Sequence, residues 1–114
     1  MENSRRSLRV DCSVPVMLQI PGSKITESWG VIYDISHGGV RIETPTLLDR
    51  NQNIILSFVV AKKYHFKNLN GIVVRVLLEG HSYMVGIKFE TVKDKKLLDD
   101  AIRSLEYIKQ VNKE

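Results

Sequence analysis

Three arginines lie close together near the start of the chain. They are Arg5, Arg6 and Arg9, and the first and last of them are spaced as Arg-x-x-x-Arg. A guanidinium group presents a planar fork of donors that bridges phosphate oxygens or reads guanine O6 and N7, and its flat face stacks on a base. The spacing indicates an anion-binding segment, although a solvated basic tail has the same composition.

The second cluster with chemical potential is the Asp-x-Ser-x-x-Gly segment at residues 34–39, which ends a predicted strand. The carboxylate of Asp34 could accept bonds from guanine N1–H and the exocyclic amine, and the Ser36 hydroxyl could add another. Gly38 and Gly39 could adopt positive φ and admit a ligand close to the backbone. Such segments are also common as simple turns. Together with the arginines, however, this cluster has the chemistry that an anionic purine requires.

The side chains that could bind a metal ion are widely separated. His37, His65 and His81 fall on different predicted turns or strand ends, and the single cysteine, Cys12, forms no Cys-x-x-Cys motif. His-Glu-x-x-His is absent as well. The sequence therefore predicts no metal site and no cofactor.

Nucleophilic catalysis is the remaining enzymatic possibility, since Asp34, Ser36 and His37 lie within four residues. In an extended segment the side chains alternate between faces, so His37 would point away from the other two. A catalytic triad needs the histidine between its partners. There is no Gly-x-Ser-x-Gly elbow or Walker motif either. We therefore expect a protein that is not an enzyme.

The composition describes one small domain that has to position these two clusters. The chain has 114 residues, is 43% apolar and 26% charged, and carries 17 Lys and Arg against 13 Asp and Glu, a net charge of +4. This apolar fraction supports a core and excludes a wholly disordered chain. No apolar run is long enough to cross a bilayer, and no signal peptide is visible. We expect a soluble cytoplasmic protein without membrane insertion.

The hydrophobic pattern predicts strands followed by one helix. From Ser13 the residues alternate between apolar and polar faces, and further strands are predicted at Ile54–Val60, Gly71–Leu78 and Tyr83–Phe89. Two more short strands lie on either side of the Asp-x-Ser-x-x-Gly segment, and residues 79–81 read as a hairpin turn. We expect five to seven strands in an antiparallel barrel, with a flexible leader at residues 1–12 and the barrel with its helix at 13–114.

Two local predictions concern aromatic residues and the helix. Trp29 and Tyr33 share a face with Val31, which favours a place in the core over base stacking. The tail from about residue 93 to 111 changes to helical spacing, and residues 91–94 resemble a capping box. Its apolar stripe consists of Leu97, Leu98, Ala101, Ile102, Leu105 and Ile108.

With both motifs in order, the sequence resembles the PilZ domain family, bacterial receptors for the second messenger cyclic di-GMP. Arg5-x-x-x-Arg9 and the Asp-x-Ser-x-x-Gly segment match the two family motifs, with 24 residues between Arg9 and Asp34. Gly71–Val76 and Tyr83–Phe89 are similar to the late strands of the family, and a C-terminal helix is expected after them. The resemblance covers nearly the whole chain.

The resemblance implies a six-stranded antiparallel barrel and a non-catalytic receptor. Arg5, Arg6 and Arg9 would hold the phosphates and stack on the guanines. Asp34 and Ser36 would hold a guanine edge. Two further site residues are then Gly39, which would permit the turn, and Arg75, for which packing beside Val73 and Leu77 is the favoured interpretation.

A receptor of this kind is expected to signal through a downstream effector protein, because the sequence shows no fused output domain. Closing the arginine leader over the nucleotide would order it and change the surface presented to the effector. Two alternatives remain open. The first is a PilZ-like adaptor that binds protein but no nucleotide. The second is a small barrel for RNA or single-stranded DNA, which is less favoured because such barrels interleave exposed aromatics with basic residues.

Overall fold

The computed structural model describes residues 9–111, which form six strands and one helix. The elements are β1 (Val10–Gln19), β2 (Glu27–Ile35), β3 (Gly39–Thr44), β4 (Asn53–Val60), β5 (Tyr64–Glu79), β6 (Ser82–Phe89) and α1 (Lys95–Val111). All strand pairs are antiparallel, and they close into a barrel in the order β1-β2-β3-β6-β5-β4. The six-stranded antiparallel barrel with a C-terminal helix is therefore confirmed.

Alternating apolar residues fill the barrel because successive side chains of a strand point to opposite faces. Along β1 the inward residues are buried as predicted, and Val40, Ile42, Val85, Ile87 and Phe89 are buried on β3 and β6. One stripe of α1 packs on the core through Leu98, Ala101 and Ile102. Within residues 9–111, no helix combines the length and the apolar character needed to cross a membrane.

Two strands begin earlier than the sequence pattern indicates. β1 begins at Val10, which is buried and paired with Ile35, so residues 10–12 of the predicted leader belong to the barrel. β5 begins at Tyr64, not at Gly71 as predicted. The sequence pattern did not reveal the first half of this strand, because polar outward residues and a bulge interrupt the alternation there. The bulge residue Asn68 has a φ of 57°.

The prediction that Trp29 and Tyr33 belong to the core is wrong. Trp29 is 58% exposed and Tyr33 is 36% exposed. On β2 the inward positions are taken by Gly30 and Ile32, which are both buried, so the aromatic residues lie on the outer surface. The predicted alternation of the β2 side chains between two faces is correct, but the more apolar of the two faces is the outer one.

The turns and the helix start depend on particular residues. Gly80 has a φ of 63° in the two-residue β5–β6 turn, between the paired Glu79 and Ser82. The start of α1 is capped by Asp94, whose Oδ1 accepts a hydrogen bond from the Leu97 backbone N–H at 2.9 Å. The predicted capping box is therefore replaced by a single aspartate cap at its last position.

Candidate functional site

A bulge in β2 brings the motif aspartate opposite an arginine. Ile32 pairs with Ile42, whereas Asp34 pairs with Arg41, so Tyr33 is an extra residue in β2. A bulge of this kind redirects the side chains that follow it. As a result, Asp34 lies directly across from Arg41 instead of one residue away.

The Asp34 carboxylate is buried and binds two guanidinium groups. Its side chain is only 6% exposed; Oδ1 lies 2.6 Å from Nη1 of Arg9, and Oδ2 lies 2.8 Å from Nε of Arg41. The two arginine side chains are 59% and 52% exposed. Burying a carboxylate without partners would be costly, and these two cations compensate that cost. Their outer faces stay open to solvent and to a ligand.

A second bulge continues this arrangement across the sheet. Val74 is the extra residue in β5, and it shifts the register so that Arg75 pairs with Gly86, which also pairs with Arg41. Asp34, Arg41, Gly86 and Arg75 therefore form one row across four neighbouring strands. Because Gly86 has no side chain, a gap remains between the two arginines.

This row lines a hollow of about 620 Å³, which we call the arginine hollow. Arg9, Asp34, Arg41 and Arg75 lie along it. Its apolar lining comes from Val74, Leu77 and Met84, and Glu79 is its second carboxylate. Guanidinium donors, a buried acceptor and apolar surface within one hollow can bind an anion that carries a flat heterocycle.

The loop after β2 uses its serine to hold its own backbone. Ser36 is buried, and its Oγ accepts a bond from the Gly38 N–H at 3.2 Å and donates one to the Gly39 carbonyl at 3.4 Å. The Ser36 N–H also donates to the Gly39 carbonyl at 2.9 Å. The Ser36 hydroxyl therefore stabilises the loop. Its one remaining lone pair could accept a single hydrogen bond from a ligand.

Gly39 is required for a reason other than the one expected from the sequence. Positive φ values occur at Gly22 and Gly80 among the described glycines, but not at Gly38 or Gly39. At Gly39 an added Cβ would overlap the carbonyl oxygen of Ile87 on β6. The residue therefore allows β3 and β6 to approach each other closely, and the prediction of a positive φ is wrong.

Cys12 lies on β1 near the site but is not a reactive group. Its Sγ is 3.6 Å from the carbonyl oxygen of Ile32. Burial, and to a lesser extent the negative charges of Asp34 and Asp11, together raise the pKa of the thiol to about 11. The thiol therefore stays protonated at neutral pH and is a poor nucleophile or metal ligand.

Of the predicted site residues, the structure brings together Arg9, Asp34 and Arg75 around the arginine hollow. Arg5 and Arg6 lie outside the described residues. Ser36 and Gly39 line an adjoining hollow of about 290 Å³.

Sequence reasoning missed two cations, Arg41 and Lys88. Lys88 lines the adjoining hollow and is the register partner of Gly39. Both residues were recognisable only as outward positions on β3 and β6, and the bulge that places Arg41 on Asp34 has no clear signal in the sequence.

Histidine and acidic residues do not assemble into a metal centre in the described part of the chain. No group of three or more His, Cys, Asp or Glu residues that could hold a metal ion occurs within residues 9–111. His37, inside the motif loop, instead lies with Nε2 at 3.0 Å from Oδ1 of Asp99 on α1. That carboxylate also accepts a bond from Arg103, and these two bonds lower the pKa of Asp99.

Three solved structures illustrate what the fold is similar to. The inhibitor of motility MotI/DgrA from Bacillus subtilis matches with a TM-score of 0.74 and 14% identity, over 98% of this chain and 54% of that chain. The PilZ domain of YcgR from Escherichia coli, with c-di-GMP, matches with a TM-score of 0.74 and 14% identity, over 96% of this chain and 97% of that chain. The MrkH–c-di-GMP complex of K. pneumonia matches with a TM-score of 0.76 and 17% identity, over 99% of this chain and 57% of that chain.

The chain thus spans about half the length of MotI/DgrA and of MrkH, and nearly all of the YcgR domain. At these identities the likeness shows the fold. No curated protein sequence matches significantly. The model of the PilZ domain family matches residues 3–106, which is most of the chain and includes both motifs. The chain belongs to the PilZ domain family.

Proposed function

We propose that this protein is a non-catalytic receptor for cyclic di-GMP. The observation that carries the proposal is the buried Asp34 carboxylate between Arg9 and Arg41, at the edge of a hollow that also contains Arg75. Cyclic di-GMP has two anionic phosphodiesters and two guanines, so it can use cations, a carboxylate and apolar surface together. The family membership and the c-di-GMP bound to YcgR and MrkH support the same ligand.

In this proposal Asp34 recognises a guanine edge. A carboxylate oxygen has two lone pairs, so Oδ1 can keep its bond from Arg9 and still accept a guanine N–H. Arg41 already binds Oδ2 and holds the carboxylate in place. The Ser36 hydroxyl lies in the adjoining hollow and can accept one further bond.

The arginines act on the phosphates and on the base faces. Arg9 can turn one face of its guanidinium to a base because its side chain is 59% exposed. Arg75 faces the ligand across Gly86, and Arg5 and Arg6 join from the segment that precedes Arg9. Gly39 keeps β3 close to β6, so that the loop after β2 remains beside the arginine hollow.

Ligand binding would act on a partner protein through the arginine segment. Closing residues 5–9 over the nucleotide changes the surface beside the hollow, and an effector protein that contacts this surface would sense it. The ligand can shift this equilibrium only by as much as it binds the closed state more tightly than the open one.

Isothermal titration calorimetry with cyclic di-GMP tests the proposal, with GTP and cyclic di-AMP as controls. We expect saturable binding of cyclic di-GMP and at least about tenfold weaker binding of both controls. Adenine in cyclic di-AMP has no N1–H donor for Asp34, and GTP has one guanine instead of two. The stoichiometry gives the number of nucleotides per chain. Absence of heat with cyclic di-GMP would contradict the proposal and favour an adaptor that binds only protein.

A further inference from the structure

We propose that a groove on the outer face of β1, β2, β4 and β5 docks an acidic, apolar segment of a partner protein. The groove has a volume of about 620 Å³ and shares no lining residue with the arginine hollow. We call it the Trp29 groove and define it by Pro15, Met17, Trp29, Val59 and Lys67. The proposal does not depend on nucleotide binding.

Three apolar side chains of the groove are exposed on the outer face of the barrel. Trp29 is 58% exposed, Met17 is 57% exposed and Val59 is 41% exposed. Met17 and Trp29 are direct register partners on β1 and β2, so their side chains form one continuous patch. The barrel interior is filled by other residues, and packing therefore does not explain a tryptophan here. Tryptophan in an exposed apolar patch is typical of an interface anchor.

The charges around the groove favour a partner with carboxylates. Lys67 lines it, and none of its lining residues is Asp or Glu. A neighbouring hollow of about 770 Å³ shares Pro15 and Val59 with the groove and adds Lys62 from the β4–β5 turn. A partner whose apolar side chain contacts Trp29 can therefore place acidic residues against Lys67 and Lys62.

The neighbouring acidic residues do not cancel this positive character. Asp11, in the neighbouring hollow, is paired with Lys109 at 3.3 Å. Glu27 lies two residues before Trp29 on β2, outside the lining of the groove.

A partner can contact the groove only through side chains, because the backbone N–H and C=O groups there already pair with neighbouring strands. Met17 is paired with Trp29 on one side and with Ser57 on the other, so no strand can be added there. Protein is favoured over nucleic acid because stacking platforms use successive exposed aromatics, whereas the two phenylalanines that line the groove, Phe58 and Phe66, are buried. The other outward aromatic of β2, Tyr33, donates its hydroxyl to Glu43 at 2.8 Å.

Trp29 is the only tryptophan of the chain, so its fluorescence reports directly on the groove. The full chain is titrated with a short peptide that alternates leucine with aspartate and glutamate. The matched control peptide carries lysine at the acidic positions, and oligothymidine is a third probe. We expect a saturable blue shift with the acidic peptide and at least about tenfold weaker binding of the basic one.

Charge-reversal variants locate the contact. Lys67→Glu should weaken binding of the acidic peptide about tenfold. Lys96→Glu, at the start of α1 and outside the groove, should leave it unchanged.

Four results would each overturn the proposal. The first is an unchanged Trp29 emission with the acidic peptide, and the second is equal binding of the acidic and basic peptides. The third is saturable binding of oligothymidine in preference to the acidic peptide. The fourth is a blue shift that appears without peptide when the protein concentration is raised. The last result, with a dimer in sedimentation velocity, would assign the groove to a second copy of the chain.

Discussion

Arg9→Ala removes the guanidinium that lies 2.6 Å from Asp34 and leaves Arg41 on the other carboxylate oxygen. A hydrogen bond to a charged group contributes about 1.5–3 kcal/mol. If Arg9 makes one such bond to the nucleotide, affinity for cyclic di-GMP should fall by about tenfold to a hundredfold. Arg9→Lys keeps the charge but loses the planar fork, so we expect an intermediate loss.

The same substitution should have little effect on folding. The Arg9 side chain is 59% exposed although Asp34 is only 6% exposed, so water can take the place of the guanidinium and we expect a loss of about 1 kcal/mol. Asp34 also keeps one cation in the variant, so no buried charge loses all its partners. Thermal unfolding without ligand should therefore show a shift of only a few degrees.

Calorimetry on wild type, Arg9→Ala and Arg9→Lys, with thermal unfolding of each, separates the two effects. Lys96→Ala is the matched control, because it removes another cation–carboxylate pair, with Asp100 at 3.0 Å, away from the hollow. The reasoning is refuted if Arg9→Ala binds cyclic di-GMP as tightly as wild type, or if Lys96→Ala weakens binding equally.

Three further predictions concern the scaffold. Gly39→Ala should destabilise the fold by several kcal/mol in thermal unfolding, because the added Cβ overlaps the Ile87 carbonyl oxygen, whereas Gly38→Ala meets nothing nearer than 3.9 Å. Cys12 should react slowly with iodoacetamide at pH 9 and quickly in denaturant, because the pKa of the thiol in the folded protein is about 11. The contribution of the protonated thiol to the free energy of unfolding is present below pH 9 and is lost as pH rises toward 11. Asp94→Ala should lower the free energy of unfolding by about 1 kcal/mol, because it removes the cap of α1.

Each of these predictions has a result that contradicts it. Equal melting temperatures of Gly39→Ala and Gly38→Ala would show that β3 and β6 can separate without cost. Alkylation of folded Cys12 as fast as in denaturant would show an accessible thiolate. For Asp94→Ala, the matched control is Lys93→Ala one residue earlier, and an equal loss in both variants would argue against the cap.

The barrel was predictable because its core follows a simple period. Val14, Val16 and Leu18 alternate without interruption, and the structure buries all three. The errors fall where this period is interrupted or where the apolar residues that follow it face outward. The first half of β5 carries polar outward residues and Asn68 at positive φ, so it did not resemble a strand. Trp29 shows the other failure, since an apolar stripe on β2 faces the surface.

The site was predictable in its motifs and not in its geometry. Arg9 and Asp34 were identified by type and spacing, and they are in contact. Arg41 was missed because its contact with Asp34 depends on the bulge at Tyr33, which shifts the register by one residue. Likewise, the position of Arg75 opposite Gly86 depends on a second bulge. Bulges depend on pairing between strands, and one sequence does not reveal that pairing.

The central claim is that the Asp34 carboxylate accepts a guanine edge, and removing one donor from the ligand tests it most directly. Cyclic di-IMP lacks the exocyclic amine of cyclic di-GMP and keeps its phosphates. Calorimetry should show that wild type binds cyclic di-IMP about tenfold more weakly, and that Asp34→Ala binds both ligands weakly and equally. If Asp34→Ala discriminates between them as well as wild type does, the amine is recognised elsewhere and the account is wrong.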